Sequence, residues 1–133
     1  MASQRLVDDA TITNDAELWR RIHPTWVVHD ENTEGVRVSS AAFDNSPDGS
    51  PTSVLLADTV RETDRTAENV IAGLGGYALA SITAGQARDC KQGVARNPLP
   101  NEPAHAYVFG QKTKALKRCL ARHAEWVISP AVP

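Results

Sequence analysis

Cysteine is scarce in this chain: Cys90 and Cys119 are its only two. That is too few for a disulfide framework, so reduced thiols in an intracellular compartment are expected. No stretch approaches the roughly eighteen consecutive apolar residues that a membrane-spanning helix needs. Residues 1–10 place Asp8 and Asp9 where a secretory signal would carry an apolar core. The expectation is a cytoplasmic protein that makes no membrane contact. Internal repeats and low-complexity blocks are missing too, which excludes a solenoid and directs attention to single elements. A Gly-x-Ser-x-Gly elbow, a His-Glu-x-x-His helix, a Gly-x-Gly-x-x-Gly turn and a Cys-x-x-Cys pair are all absent from the sequence, so the common hydrolase, zinc-protease, dinucleotide and thiol-redox signatures do not apply.

What is present belongs to a globular chain. Its 133 residues are 41% hydrophobic and 23% charged, enough apolar surface to offset chain entropy in one domain spanning 1–133. Residues 1–13 and 129–133 are expected to be loose termini. The net charge of -2 hides a polarity: through Gly85 there are six Lys and Arg against thirteen Asp and Glu, and from Gln86 onward eight against three. A chain with an acidic first part and a basic last part can attract its own ends, associate head to tail, or offer its basic part to an acidic partner. The overall balance is not that of a nucleic-acid-binding protein, and nucleic acid is not an expected partner.

Asn14-Asp-Ala-Glu17 supplies a cap and a capping-box acid ahead of Leu18, Trp19 and Ile22, which predicts a short helix ended by His23-Pro24. Thr25 to His29 and Val36 to Phe43 are β-prone runs separated by turn residues, and predict a hairpin with a long loop. Ser53 to Ala57 reads as a strand, Thr66 to Leu74 as a helix, Tyr77 to Thr83 as a strand, and Ala84 to Lys91 as a helix capped by Thr83. Ala104 to Phe109 is the clearest late strand. From Lys112 to Glu125, Leu116, Cys119, Leu120 and His123 share one helical face, with Lys114, Lys117, Arg118 and Arg122 on the opposite arc. Trp126-Val-Ile128 is placed to close the sheet. These elements predict an α+β fold: a mixed sheet with an N-terminal β-hairpin region and about three helices, the longest near the C-terminus.

The candidate binding residues are Arg20, Arg21, His23, Ser39, Ser40, His105, Lys112 and Thr113. Arg20 and Arg21 are candidate anion contacts. Lys112 and Thr113 follow Gly110 where a strand gives way to a helix, a place where free amides and the helix dipole favour an anion, although the two spaced glycines of a true phosphate loop are missing. His105, Tyr107 and Phe109 share one face of their strand and could line a pocket. His23 and His29 lie roughly 20 Å apart if the chain between them is extended, at about 3.3 Å per residue, and cannot share a metal without a fold-back. Cys119 and His123, four apart on a helix, form half of a zinc site. Cys90 and His105 would have to complete it from separate elements, so no metal site and no zinc are expected.

Leu18-Trp-Arg-Arg-Ile-His-Pro24, Val36-Arg-Val-Ser-Ser-Ala-Ala-Phe43 and Pro103-Ala-His-Ala-Tyr-Val-Phe-Gly110 with Lys112-Thr113 resemble small bacterial proteins of no assigned function. An arginine-bearing start followed by a serine-bearing strand is also similar to the RES toxin family, which is related to ADP-ribosyltransferases and consumes NAD. That resemblance implies Arg20 or Arg21, with Ser39 or Ser40, as site residues. The family's Gly-Arg-Trp-Asn stretch has no counterpart here, nor does its catalytic glutamate. The expected function is a small interaction or accessory module without catalysis, binding a protein partner or a second copy of itself and needing no cofactor. The alternative is an NAD- or nucleotide-binding enzyme of ADP-ribosyltransferase-like type.

Overall fold

Leu18 and Ile22 are four apart, as a helix would want, but Leu18, Arg20 and Ile22 also alternate with Trp19 and Arg21, as a strand buried on both faces would. A computed structural model describes residues 6–33 and 35–130, and in it this segment is β1 (Glu17–Ile22), an inner strand of the main sheet. The predicted helix is therefore corrected to a strand. Its backbone groups are shared between two neighbours: Leu18 pairs with Leu56 on one side, while Glu17 to Ile22 pair with Thr83 to Ala78 on the other. Apolar side chains above and below reward that arrangement. Leu18 and Ile22 enter one core cluster and Trp19 the other. Glu17, expected to close a capping box, accepts a bond from Trp19 Nε1 instead (2.7 Å), as side chains two apart on a strand can.

The chain continues through a 3-10 turn (Pro24–Trp26), β2 (Val27–His29), β3 (Val36–Val38), a second 3-10 turn (Ser40–Phe43), β4 (Thr52–Leu56), α1 (Ala57–Glu62), α2 (Ala67–Val70) and β5 (Ala78–Thr83). It ends with α3 (Ala84–Asp89), β6 (Gly93–Arg96), β7 (His105–Phe109), α4 (Lys114–His123) and β8 (Glu125–Ile128). Six strands form one sheet in the order β6-β7-β4-β1-β5-β8, and each of its ladders is antiparallel. The β2–β3 hairpin is a separate two-stranded ribbon. The fold is α+β, and its longest helix is the one nearest the C-terminus.

One face of the sheet carries Leu18, Ile22, Val54, Ala80, Ile82, Ala106 and Val108, packed with Phe43, Ala87 and Leu120 from the elements that cover it. The opposite face buries Trp19, Leu55 and Leu79 against Val60 of α1 and Val70 of α2. Local capping sets several boundaries. Thr83 and Gln86 make a reciprocal capping box at α3, and the Thr113 hydroxyl accepts the Leu116 amide at α4.

Part of the N-terminal stretch expected to be loose is tied down. The Asp9 amide donates to the Val94 carbonyl, Asp8 accepts the Val94 amide, and Ile12 is buried. Residues 1–5 and 131–133 of the expected loose termini lie outside the described residues. No helix among the described residues is long and apolar enough to cross a membrane. The cysteines, expected as separate thiols, are joined as Cys90–Cys119, which links the end of α3 to the middle of α4.

Candidate functional site: a basic groove beside the last helix

The β2–β3 ribbon stands apart from the main sheet because its residues pair with each other, Val27 with Val38 and His29 with Val36. It is anchored at its base. The Ser39 amide donates to the Trp26 carbonyl (2.7 Å), and Trp126 Nε1 donates to the Val36 carbonyl (3.2 Å). On the other side α4 is fixed by Leu120, which is wholly buried, and by the Lys117–Asp44 ion pair (3.2 Å). Ribbon and helix therefore form two walls of an open groove of about 810 Å³.

Cations dominate the groove. Arg37 comes from the ribbon, and Lys114, Arg118 and Arg122 come from the arc of α4 turned away from the core. None of these four takes part in an ion pair among the described residues. Asp30 and Glu125 are the two carboxylates in the lining, and Val28, Val36, Val38 and Trp126 give it an apolar strip. Ser39 and Ser40 lie at the base, where the Ser39 hydroxyl accepts the Ala41 amide and starts the 3-10 turn. The groove can attract an acidic segment by charge and hold it by contact with apolar surface.

The other predicted site residues do not gather here. Arg20 lies on the sheet face beneath the Ser40–Phe43 turn. Its Nε donates to the Ala42 carbonyl and its Nη1 to the Ser53 carbonyl (2.9 Å each), and its guanidinium stacks on Trp26 at 5.1 Å. Burial pushes its pKa down to about 10, and the Arg21 charge adds to that effect. Arg21 projects to the opposite face and donates to the Val70 carbonyl (2.7 Å), holding the end of α2. His23 caps the first 3-10 turn by accepting the Thr25 amide and packs edge-on against Tyr77. Lys112 donates to the Val108 carbonyl (3.0 Å), and burial pushes its pKa down to about 8, with Asp44 opposing the shift. Thr113 is the cap of α4. These five side chains all have local structural partners.

His105 has a more specific setting, on the sheet face opposite the groove. Its Nδ1 lies 2.9 Å from the Asn97 main-chain carbonyl, and its Nε2 lies 3.1 Å from Ser53 Oγ. A carbonyl can only accept, so Nδ1 is the donor to Asn97, and in the tautomer protonated at Nδ1 alone Nε2 accepts from the Ser53 hydroxyl. This hydroxyl–imidazole–carbonyl chain has the connectivity of an activated nucleophile. No sequence signal joined Ser53 and Asn97 to His105, because β4, β7 and the segment before β7 meet only through the sheet register, in which Leu55 pairs with His105.

Ser39 and Ser40, which the family resemblance singles out, lie in the groove lining, whereas Arg37, Arg118, Arg122 and Trp126 are not among the residues the sequence points to. The basic arc of α4 was visible as a helical pattern, while the wall opposite it was not, since the ribbon comes from a distant part of the chain. Comparisons with family models, with curated proteins and with solved structures find no match to this chain.

Proposed function

We propose that the protein is a non-catalytic interaction module whose groove between the β2–β3 ribbon and α4 receives an acidic segment of a partner protein. The observation that carries this reading is the set of four groove cations, Arg37, Lys114, Arg118 and Arg122, without carboxylate partners among the described residues. Three other cations of the basic C-terminal part are paired internally: Arg88 with Asp8, Arg96 with Asp9 and Lys117 with Asp44. The four groove cations share one wall or face it, and they line a surface with enough apolar character to add short-range contact to long-range attraction. A cytoplasmic location and a bacterial origin belong to the same reading.

Fluorescence titration with an Asp/Glu-rich peptide carrying an apolar residue tests it, with Trp126 in the groove as the reporter. Saturable binding that weakens between low and high salt is the expected result. NAD and ATP form the second arm. The NAD-directed alternative would use the same cations with Ser39 and Ser40 against a pyrophosphate, so tight nucleotide binding without peptide binding would replace the module reading with that one. Sedimentation of the free protein is the third arm. Concentration-dependent assembly that competes with the peptide would identify the partner as a second copy of this chain.

A further inference from the structure

Two sulfurs and an imidazole meet where the end of α3 lies against α4. Cys90 is the buried C-cap residue of α3. Cys119 and His123 lie one turn apart on α4, and the ligand atoms of all three residues fall within 4.8 Å of one another. The backbone around them is held. Gln92 Nε2 donates to the Cys90 carbonyl (3.2 Å) and to the Gln111 carbonyl (2.8 Å), joining the end of α3 to the segment that leads into α4. The sequence pattern supplied only the Cys119–His123 half of a site. The fold brings Cys90 to it and leaves His105 on the other side of the sheet.

We propose that, once the Cys90–Cys119 disulfide is reduced, Cys90, Cys119 and His123 bind one borderline-soft divalent cation of the zinc class. Zinc takes thiolates at about 2.3 Å and imidazole nitrogen at about 2.0–2.1 Å, so its tetrahedral ligands stand roughly 3.3–3.8 Å apart. Ligand atoms already within 4.8 Å of one another reach that spacing by side-chain rotation. The two Cα atoms, 5.7 Å apart, need no separation of the helices. Three protein ligands leave the fourth position to water. In the reduction step a dithiol reductant donates two electrons: its own sulfurs become a disulfide, the Cys90–Cys119 bond breaks, and each cysteine sulfur gains a proton. Cation binding then forms two metal–thiolate bonds and releases those two protons to solvent. One site thus alternates between a disulfide form in an oxidising environment and a metal form in a reducing one. α4, which carries three of the groove cations, is held to α3 in both.

The test uses the full chain, reduced anaerobically with a small dithiol, freed of reductant and titrated with cobalt(II), then with zinc. The reduced protein should take up one cobalt per chain with a thiolate-to-cobalt charge-transfer band and an intense tetrahedral visible band. Zinc should displace it, with release of close to two protons per ion below the thiol range. Oxidised protein should take up none. His123→Ala should weaken the metal by roughly tenfold or more, since even outer partners of a ligand are worth that much, and His123→Gln serves the same purpose if the alanine variant does not fold. Circular dichroism follows the fold throughout. If the reduced metal-free chain loses structure, one equivalent of zinc should restore it. The proposal is overturned by a reduced chain that shows no thiolate–cobalt band, by equal uptake in the oxidised form, by metal affinity within twofold of wild type in both His123 variants, or by failure of zinc to restore a lost fold.

Discussion

Half-buried Arg20, Arg21 and Lys112 are satisfied by main-chain carbonyls, and substitutions among such half-buried charged groups have distinct signatures. Arg20 joins the Ala42 and Ser53 carbonyls through two donors of one planar group. A lysine has no such fork, so Arg20→Lys should keep the charge yet lower stability by about 1–3 kcal/mol in urea unfolding. Lys112 predicts a pH effect. Its folded pKa of about 8 lies below its ordinary value of 10.5 because burial disfavours the charged amine. Between those values the unfolded chain holds a proton that the folded one has released, so this group makes stability rise with pH across that window. Lys112→Met should remove that rise when unfolding is compared at pH 7.5 and 9.5. Glu102 acts at the acid end. Its hydrogen bonds from Arg65 (2.6 and 2.9 Å) hold its carboxyl below the ordinary value of 4.5, with burial opposing. Its contribution is therefore present above that value and is lost as pH falls through the lower folded one. Glu102→Gln should flatten the decline of stability in that acid range.

At the scale of elements, α4 is where pattern and structure agree best. Leu120 is wholly buried, and Leu120→Ala should cost about 2–5 kcal/mol, whereas half-buried Leu116 should cost less. Exposed Arg118 should tolerate alanine within about 0.5 kcal/mol of wild-type stability. Lys117 was read from the sequence as a member of that exposed arc. It is instead half-buried and paired with Asp44, so its replacement should cost about 0.2–1 kcal/mol. Calorimetric unfolding of the four variants gives the ranking. Where a single period applied, the sequence was legible: the helical stripe of α4, the alternation of β7, the Thr83 cap of α3 and the paired runs of the ribbon all appear in the structure. β1 was not legible, because Leu18 and Ile22 satisfy a helical spacing and a strand spacing at once, and only its neighbours β4 and β5 decide between them. The Val36 to Phe43 run was read as one strand, but Ser39 caps a 3-10 turn that ends it at Val38. α1 and β6 escaped notice because six and four residues carry too little periodicity to stand out.

Across the whole molecule, folding resolves part of the charge polarity seen along the chain and concentrates three of the remaining cations on one helix. Asp8, Asp9 and Asp44 from the acidic part meet Arg88, Arg96 and Lys117 from the basic part. Lys114, Arg118 and Arg122 are left on one side of α4, facing the ribbon and Arg37. Ser39 and Ser40 line the groove, but the groove itself is not legible in the sequence, because its walls are brought together by the sheet and by the Trp126–Val36 bond. A double charge reversal, Arg118→Glu with Arg122→Glu, should leave the fold intact and reduce affinity for an acidic peptide by roughly tenfold or more, as expected when two attractive contacts of about 1 kcal/mol or more become repulsive. The most direct measurement is a nitrogen-15 amide spectrum of the full chain titrated with an acidic peptide. The account predicts shift changes confined to Arg37–Ser40 and to Lys114–Trp126, diminishing together as salt is added. Shifts centred instead on Ser53, Asn97 and His105 across the sheet, or no shifts at a peptide concentration that saturates a millimolar site, would contradict it.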